Sequence, residues 1–350
     1  MGEPLDQFFI LLGLLVCLAG LAKCVRFCKC VLLSFRKVLP RSFLQSMGQW
    51  AVVTGAGDGI GKAYSLELAK CGLNVVLISR TLEKLQVLAR EIERSTRSRV
   101  RVIQADFTKD DIYESIQEEL KGLEVGILVN NVGMLPNLLP SRFLSVPDEI
   151  QSLIQCNVTS VVKMTQLILK PMESRRRGLI LNISSGVALC PWPLYTLYSA
   201  SKAFVCTFSK ALQAEYRAKG IIIQVLTPYA VSTPMTKYLN TNMVTKRADE
   251  FVRESLNYVT MGDETCGCLA HEVLASFLSL IPAWAFYSRA FQRFLLTCYT
   301  DYLRQNVSTR ESQMPRTQAP LAGLQGPEEL VPAPPEPEEQ GLRGHTCVGP

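Results

Sequence analysis

The chain has 350 residues, enough for one large domain or two small ones. It is 48% hydrophobic and 19% charged, which excludes a chain disordered over most of its length and marks an apolar excess. The net charge of +6 comes from scattered bases whose one tight cluster, Arg175 to Arg177, reads as a solvated helix end, so no nucleic-acid footprint is expected. The 12 cysteines keep no framework spacing, and neither His271 nor His345 adjoins a cysteine pair. No metal site is therefore expected, and the domain reads as reduced and cytosol-facing.

In chain order, residues 8 to 22 form an unbroken apolar run, FFILLGLLVCLAGLA. Acidic Glu3 and Asp6 precede it, and Lys23, Arg26, Lys29, Arg36, Lys37 and Arg41 follow it. A cleaved signal peptide would carry its positive charge first. Residues 1–37 are thus expected to be a retained single-pass anchor, with everything after residue 23 in the cytosol. Residues 38–47 read as a linker.

The run WAVVT (50 to 54) is strand-like, and GAGDGIG follows it directly before the helical pattern KAYSLELAKCG. Strand, glycine turn and helix together open a dinucleotide-binding unit, in which the backbone approaches a pyrophosphate at the helix amino terminus. The spacing present is G-x-x-x-G-x-G at Gly55, Gly59 and Gly61, with Gly57 inside it and Ile60 where G-x-G-x-x-G would need glycine. Further strand-like runs are NVVLIS (74 to 79), VRVIQA (100 to 105), VGILVN (125 to 130), GLILNI (178 to 183) and IIIQVLT (221 to 227), with amphipathic stretches such as 82 to 95 and 150 to 172 between them. Apolar strands alternating with helices predict a parallel sheet covered on both faces. Polar residues end these strands on one edge: Arg80, Asp106, Asn130 and Asn131, Ser184 and Ser185, and Pro228. Residues 264 to 304 read as helical and apolar, broken at Pro282, and either cap a pocket or press on a membrane. Residues 307–350 are dense in Pro and Glu and read as a disordered tail.

TGAGDGIG (54 to 61), NNVG (130 to 133), Asn157 in CNVTS, Ser185 in NISSG and YSASK (198 to 202) occur in an order and spacing that resemble the short-chain dehydrogenase/reductase family from about residue 48 to 235. The resemblance implies a Rossmann-type doubly wound parallel sheet with helices on both faces, spanning 48–306 and preceded here by a transmembrane helix. It also implies a nicotinamide-dependent oxidoreductase. Tyr198 resembles the family's proton donor, Lys202 its partner, Ser185 the substrate-orienting serine and Asn157 the end of a proton relay. Gly55, Gly57, Asp58, Gly59, Ile60, Gly61, Arg80, Asp106, Asn131, Tyr198, Lys202, Val231 and Thr233 are expected to hold the cofactor. Ser185, Tyr195 and Tyr229 are expected to face the substrate. An ammonium one helical turn from the phenol, together with the positive nicotinamide of the oxidised cofactor, is expected to draw its pKa down from about 10 toward the working range.

Where NAD users carry an acid about 20 residues past the glycines, this chain has Arg80, a guanidinium suited to the 2′-phosphate of NADPH. Many NADP-using relatives also carry a base where Asp58 stands, so Arg80 is expected to carry most of the discrimination. A second departure is Pro228-Tyr229, where the family usually has Pro-Gly. The nearer resemblance, through NNVGMLP, PWPLY and LIPAWAFY, is to the membrane-anchored 17β-hydroxysteroid dehydrogenases and 3-oxoacyl-CoA reductases. It implies NADPH-dependent reduction of a 17-ketosteroid, androstenedione to testosterone, at the endoplasmic reticulum membrane, with a homodimer allowed. The alternatives are a very-long-chain 3-oxoacyl-CoA reductase, which the ending HTCVGP without dilysine disfavours, and an inactive lipid-binding scaffold, which intact Tyr198 and Lys202 disfavour.

Overall fold

The six apolar runs become the six long strands of one sheet in a computed structural model, which describes residues 6–15, 17, 18, 20, 21, 25, 39–145 and 149–311. In chain order, α1 (Arg41–Met47) precedes β1 (Trp50–Thr54), α2 (Gly59–Lys70), β2 (Asn74–Ser79), α3 (Leu82–Ser95), β3 (Val100–Gln104), α4 (Tyr113–Leu120) and β4 (Val125–Asn130). Then α5 (Ile150–Ile154) runs through a π-helical turn, Gln155–Thr159, into α6 (Ser160–Arg175) and β5 (Gly178–Ile183). The long α7 (Thr196–Tyr216), β6 (Ile221–Leu226), β7 (Val231–Ser232), β8 (Lys246–Arg247), α8 (Ala248–Asn257) and β9 (Glu264–Thr265) follow. The last helices are α9 (Leu269–Leu278), α10 (Ala283–Tyr287), α11 (Arg289–Phe294) and α12 (Thr300–Glu311).

The main sheet is parallel throughout, in the order β3-β2-β1-β4-β5-β6-β9. Successive side chains of a strand point to opposite faces, and both faces are apolar here. Ala51, Val53, Leu77, Val129 and Leu181 pack under Leu44, Tyr64, Leu68, Leu88 and Phe251 of α1, α2, α3 and α8. Val52, Val76, Leu128 and Ile180 pack under Ile116, Met164, Ile168 and Met172 of α4 and α6. The order reverses between β1 and β4, which opens a crevice at their carboxyl ends.

Three boundaries differ from those read in the sequence. Within the expected linker 38–47, Arg41–Met47 is helical, Leu44 is 1% exposed in the core, and Leu39 N donates to Asn257 Oδ1 at 3.0 Å. Burial of Leu44 and Met47 overrides the polar look of the segment. Residues 264 and 265, read as helix, instead form β9, held to β6 by pairs that a two-residue strand cannot announce. The last helix passes the expected end at 306 and reaches Glu311; most of the expected tail, 312–350, lies outside the described residues. Residues 6–15 are helical with their large apolar side chains exposed. Among the described residues no helix is long and apolar enough to cross a membrane, and residues 1–5, 16, 19, 22–24 and 26–37 of the expected anchor lie outside them.

Candidate active site

At the crevice, Thr54 ties β1 to β4. Its hydroxyl accepts from Asn131 N and Val132 N at 3.0 and 3.1 Å, and Asn131 Nδ2 donates to the carbonyls of Thr54 and Gly55 at 3.1 and 3.2 Å. Gly55 and Gly59 sit at φ of 63° and 53°, where glycine carries no steric cost. A side chain at Gly61 would run into the Gly55 carbonyl. Asp58 is the N-cap residue of α2 but makes no side-chain capping bond, so the first-turn N–H groups stay clear of side-chain acceptors. Thr233 lies against the turn, 3.0 Å from where a Cβ on Gly59 would be, and just after Val231 in β7. A glycine turn on an uncapped helix of this kind fits a pyrophosphate.

The rim of the turn carries two cations. Arg80 ends β2 exposed, and among the described residues no hydrogen bond or ion pair engages its guanidinium. Lys84, in the first turn of α3, meets Asp58 Oδ2 at 2.5 Å. In the sequence Arg80 is the one base expected beside Asp58; in the structure Lys84 is a second. The pairing spans 26 positions, and only the packing of α3 beside Gly57 brings it about. Asp106, at the end of β3, accepts from Thr108 N and Oγ1 at 3.1 and 3.0 Å, which fixes its carboxylate in a local turn.

The other cluster gathers on the same edge from β4, β5, the π-helical turn and α7. Tyr198 and Lys202 share a face of α7, with the ammonium 5.8 Å from the phenol ring centroid. Lys202 is 4% exposed and donates to Ile183 O at 3.1 Å. Burial brings its pKa down to about 8. Burial also pushes the Tyr198 phenol up to about 12, against the pull of a hydrogen bond with the Ser185 hydroxyl. Without a dinucleotide in the crevice, burial sets the direction of the Tyr198 shift. The phenol holds its proton at neutral pH.

Asn157 is fully buried. Its Oδ1 accepts from Met134 N at 2.7 Å, and its Nδ2 donates to Met134 O at 3.0 Å and to Ser201 Oγ at 3.1 Å. Gly133 stands between these groups: a Cβ there would lie 3.2 Å from Lys202 Nζ and 3.5 Å from Asn157 Oδ1. The glycine of NNVG thus keeps open the gap between ammonium and amide. Ser184, beside Ser185, plays a different part, donating to the Lys202 carbonyl at 2.7 Å and so locking α7 to β5.

Tyr229 and Tyr195 flank this group. The Tyr229 ring covers Gly186, next to Ser185, at a position where glycine is usual in the family. Its backbone N–H donates to His271 Nδ1 at 3.3 Å, and His271 Nε2 lies 2.8 Å from Val244 O. Fully buried and with its pKa lowered mainly by burial, His271 is neutral, carrying its proton on Nε2. It was not singled out for this role in the sequence, where it is one residue inside an apolar helix. Tyr195 was expected to meet substrate, yet its hydroxyl donates to Leu138 O at 2.6 Å. The phenol is thus committed to bracing the 134–139 loop, and only the ring lines the small cavity beside Tyr198, together with Leu135 and Leu194. A larger pocket of about 390 Å³ lies at the opposite edge, where β6 begins, remote from these groups.

A paired phenol and buried ammonium, a hydroxyl at the phenol and a glycine turn at the switch point define a dinucleotide-dependent oxidoreductase site. The chain belongs to the short-chain dehydrogenase family, whose model, "short chain dehydrogenase", matches residues 49–244. It is 79% identical over 310 residues to human "17-beta-hydroxysteroid dehydrogenase type 3", covering 89% of this chain and all of that protein. It is 46% identical over 243 residues to human "very-long-chain 3-oxoacyl-CoA reductase", covering 69% of this chain and 78% of that one. Among solved structures it is similar to a short-chain dehydrogenase from Sphingobium yanoikuyae in complex with NADPH, at 25% identity and a TM-score of 0.59, covering 77% and 98% of the two chains.

Proposed function

We propose that the protein reduces a 17-ketosteroid to the 17β-hydroxysteroid with NADPH, as androstenedione to testosterone. The observation that carries the reading is the Tyr198 phenol and the buried Lys202 ammonium on one face of α7 at the crevice, with Nζ 5.8 Å from the ring centroid. The steroid is supported by the relative matched over its whole length and by the aromatic and aliphatic wall of Leu194, Tyr195 and Tyr229. The α2 turn would hold the pyrophosphate, and Arg80 with Lys84 the 2′-phosphate. The chemistry supplied by the bound dinucleotide is a hydride for the carbonyl carbon. Ser185 and Tyr198 hold the carbonyl oxygen through their hydroxyls, and Tyr198 gives its proton to that oxygen as the C=O double bond becomes a C–O single bond. Lys202 stabilises the phenolate left behind, and Asn157 orders the path by which it is reprotonated.

The apolar run 8–22 with bases after it supports a single-pass anchor within 1–37 and a cytosolic catalytic domain, and an endoplasmic reticulum location is what the resemblance to the membrane-anchored 17β-hydroxysteroid dehydrogenases implies. Incubating membranes that carry the protein with NADPH and a panel of steroid ketones and 3-oxoacyl-CoAs tests the reading. Turnover is expected with 17-ketosteroids. Turnover confined to the acyl-CoAs overturns the substrate, and none with any ketone overturns the activity.

A further inference from the structure

We propose that the outer face of α9 to α11 docks on a lipid bilayer through anionic phospholipid headgroups, directly above the loop that leads into Tyr198. These helices have two unlike faces. The inner one is seated on the catalytic loop: the Trp192 ring lies 5.9 Å from that of Phe286 and 5.5 Å from that of Phe291, and Phe286 is 3% exposed. The outer one is bare. Phe277, Leu280, Trp284, Tyr287 and Phe294 are each at least half exposed, at 65, 69, 71, 50 and 51%. A cluster of large apolar side chains in so short a stretch marks a surface built to meet something apolar.

Charge selects the occupant. Between Glu272 and Asp301 the sequence holds two charged residues, Arg289 and Arg293, and both are exposed. A two-fold dimer through this face would set the patch against itself, arginine opposite arginine with no carboxylate within the stretch to answer them. A bilayer surface answers every part of it. Anionic headgroups take the guanidinium groups, Trp284 and Tyr287 suit the headgroup level, and Leu280 and Phe277 suit the acyl boundary beneath. The face needs only to lie on the membrane. The docking does not depend on the proposed reaction; the corollary, that a lipophilic ketone enters from the lipid beside Trp192, does rest on it.

The test uses the full chain reconstituted in vesicles of phosphatidylcholine and phosphatidylserine, with dibrominated phosphatidylcholine in a second batch. Three tryptophans emit, and the emission missing from Trp284→Phe is that of Trp284, which is exposed enough for the variant to fold. Brominated lipid is expected to remove more than about half of that emission, since bromine quenches only at membrane depth. Charge reversal by Arg289→Glu with Arg293→Glu is expected to cut the quenching about twofold or more in anionic vesicles. Trp284 emission indifferent to bromine overturns the proposal, and a disulfide-linked pair then formed by the separate variant Trp284→Cys would make the face a contact between copies. Quenching intact in a protein that reduces no ketone leaves the docking standing and removes the reaction and its corollary.

Discussion

At the scale of single residues, the groups separate by how local their signal is. Tyr198 and Lys202 lie one helical turn apart in the sequence as in the structure, so their partnership is legible at once. Tyr198→Phe keeps the ring and removes the proton donor. Turnover is expected to fall by several orders of magnitude while NADPH binding, followed by its fluorescence, is retained. Lys202 carries a sign that no motif discloses. Its folded pKa of about 8 lies below the unfolded value of about 10.4, so the unfolded chain holds more protons between those two pH values. The cost of burying the ammonium is thus fully present below pH 8 and is relieved as pH rises toward 10. Lys202→Met, which also loses the bond to Ile183 O, is expected to abolish turnover yet gain about 1 to 3 kcal/mol of stability at pH 7, measured by urea unfolding without cofactor. The gain should shrink by pH 10; a stability loss at pH 7 would show that the ammonium is well solvated in the fold. Lys84 is the residue a linear reading passes over, because its partner Asp58 is reached only through the packing of α3. Arg80→Asp is expected to raise the Michaelis constant for NADPH sharply and make NADH the better cofactor. Lys84→Ala is expected to weaken NADPH binding about tenfold, through loss of one charge-assisted contact, and to leave NADH nearly unchanged. Titration with both dinucleotides decides it, and equal effects on the two would place Lys84 outside the 2′-phosphate contact.

At the scale of elements, the six long strands were legible as apolar runs, and their observed bounds depart from the reading by a residue at most. What stayed hidden is structure that exists only through partners. Arg41–Met47 has no long period to display, yet Leu44 and Met47 fill the layer above Ala51 and Val53. Leu44→Ala is expected to cost about 2 to 5 kcal/mol, read as a lowered unfolding midpoint, whereas a true linker would tolerate it. Tyr195 was hidden for a similar reason, since its hydroxyl partner Leu138 lies in a loop 57 positions away.

At the scale of the whole molecule, the two apolar layers draw their buried residues from no further than Cys268, and a separate small cluster joins the buried Leu303 to Leu239. A relative matched over its full length pairs with 310 residues of this chain. A chain ending at residue 311 is therefore expected to keep its turnover, and a large loss would show that residues beyond it contribute to the fold or the site. Across one sheet face runs the stretch 150 to 175, where Leu153, Asn157, Val161, Thr165 and Leu169 look inward every four residues. A regular helix advances about 400° in four residues, so such a row slips about 40° sideways at each step. The wide turn at Gln155–Thr159 spends one extra residue and takes back roughly 100° of that slippage. The helix thus has two phases, joined at Asn157. Deleting any one residue from the turn would restore a regular spiral and swing either Leu153 out of the core or Asn157 away from Met134 and Ser201, so this short stretch tolerates substitution far better than any change in its length.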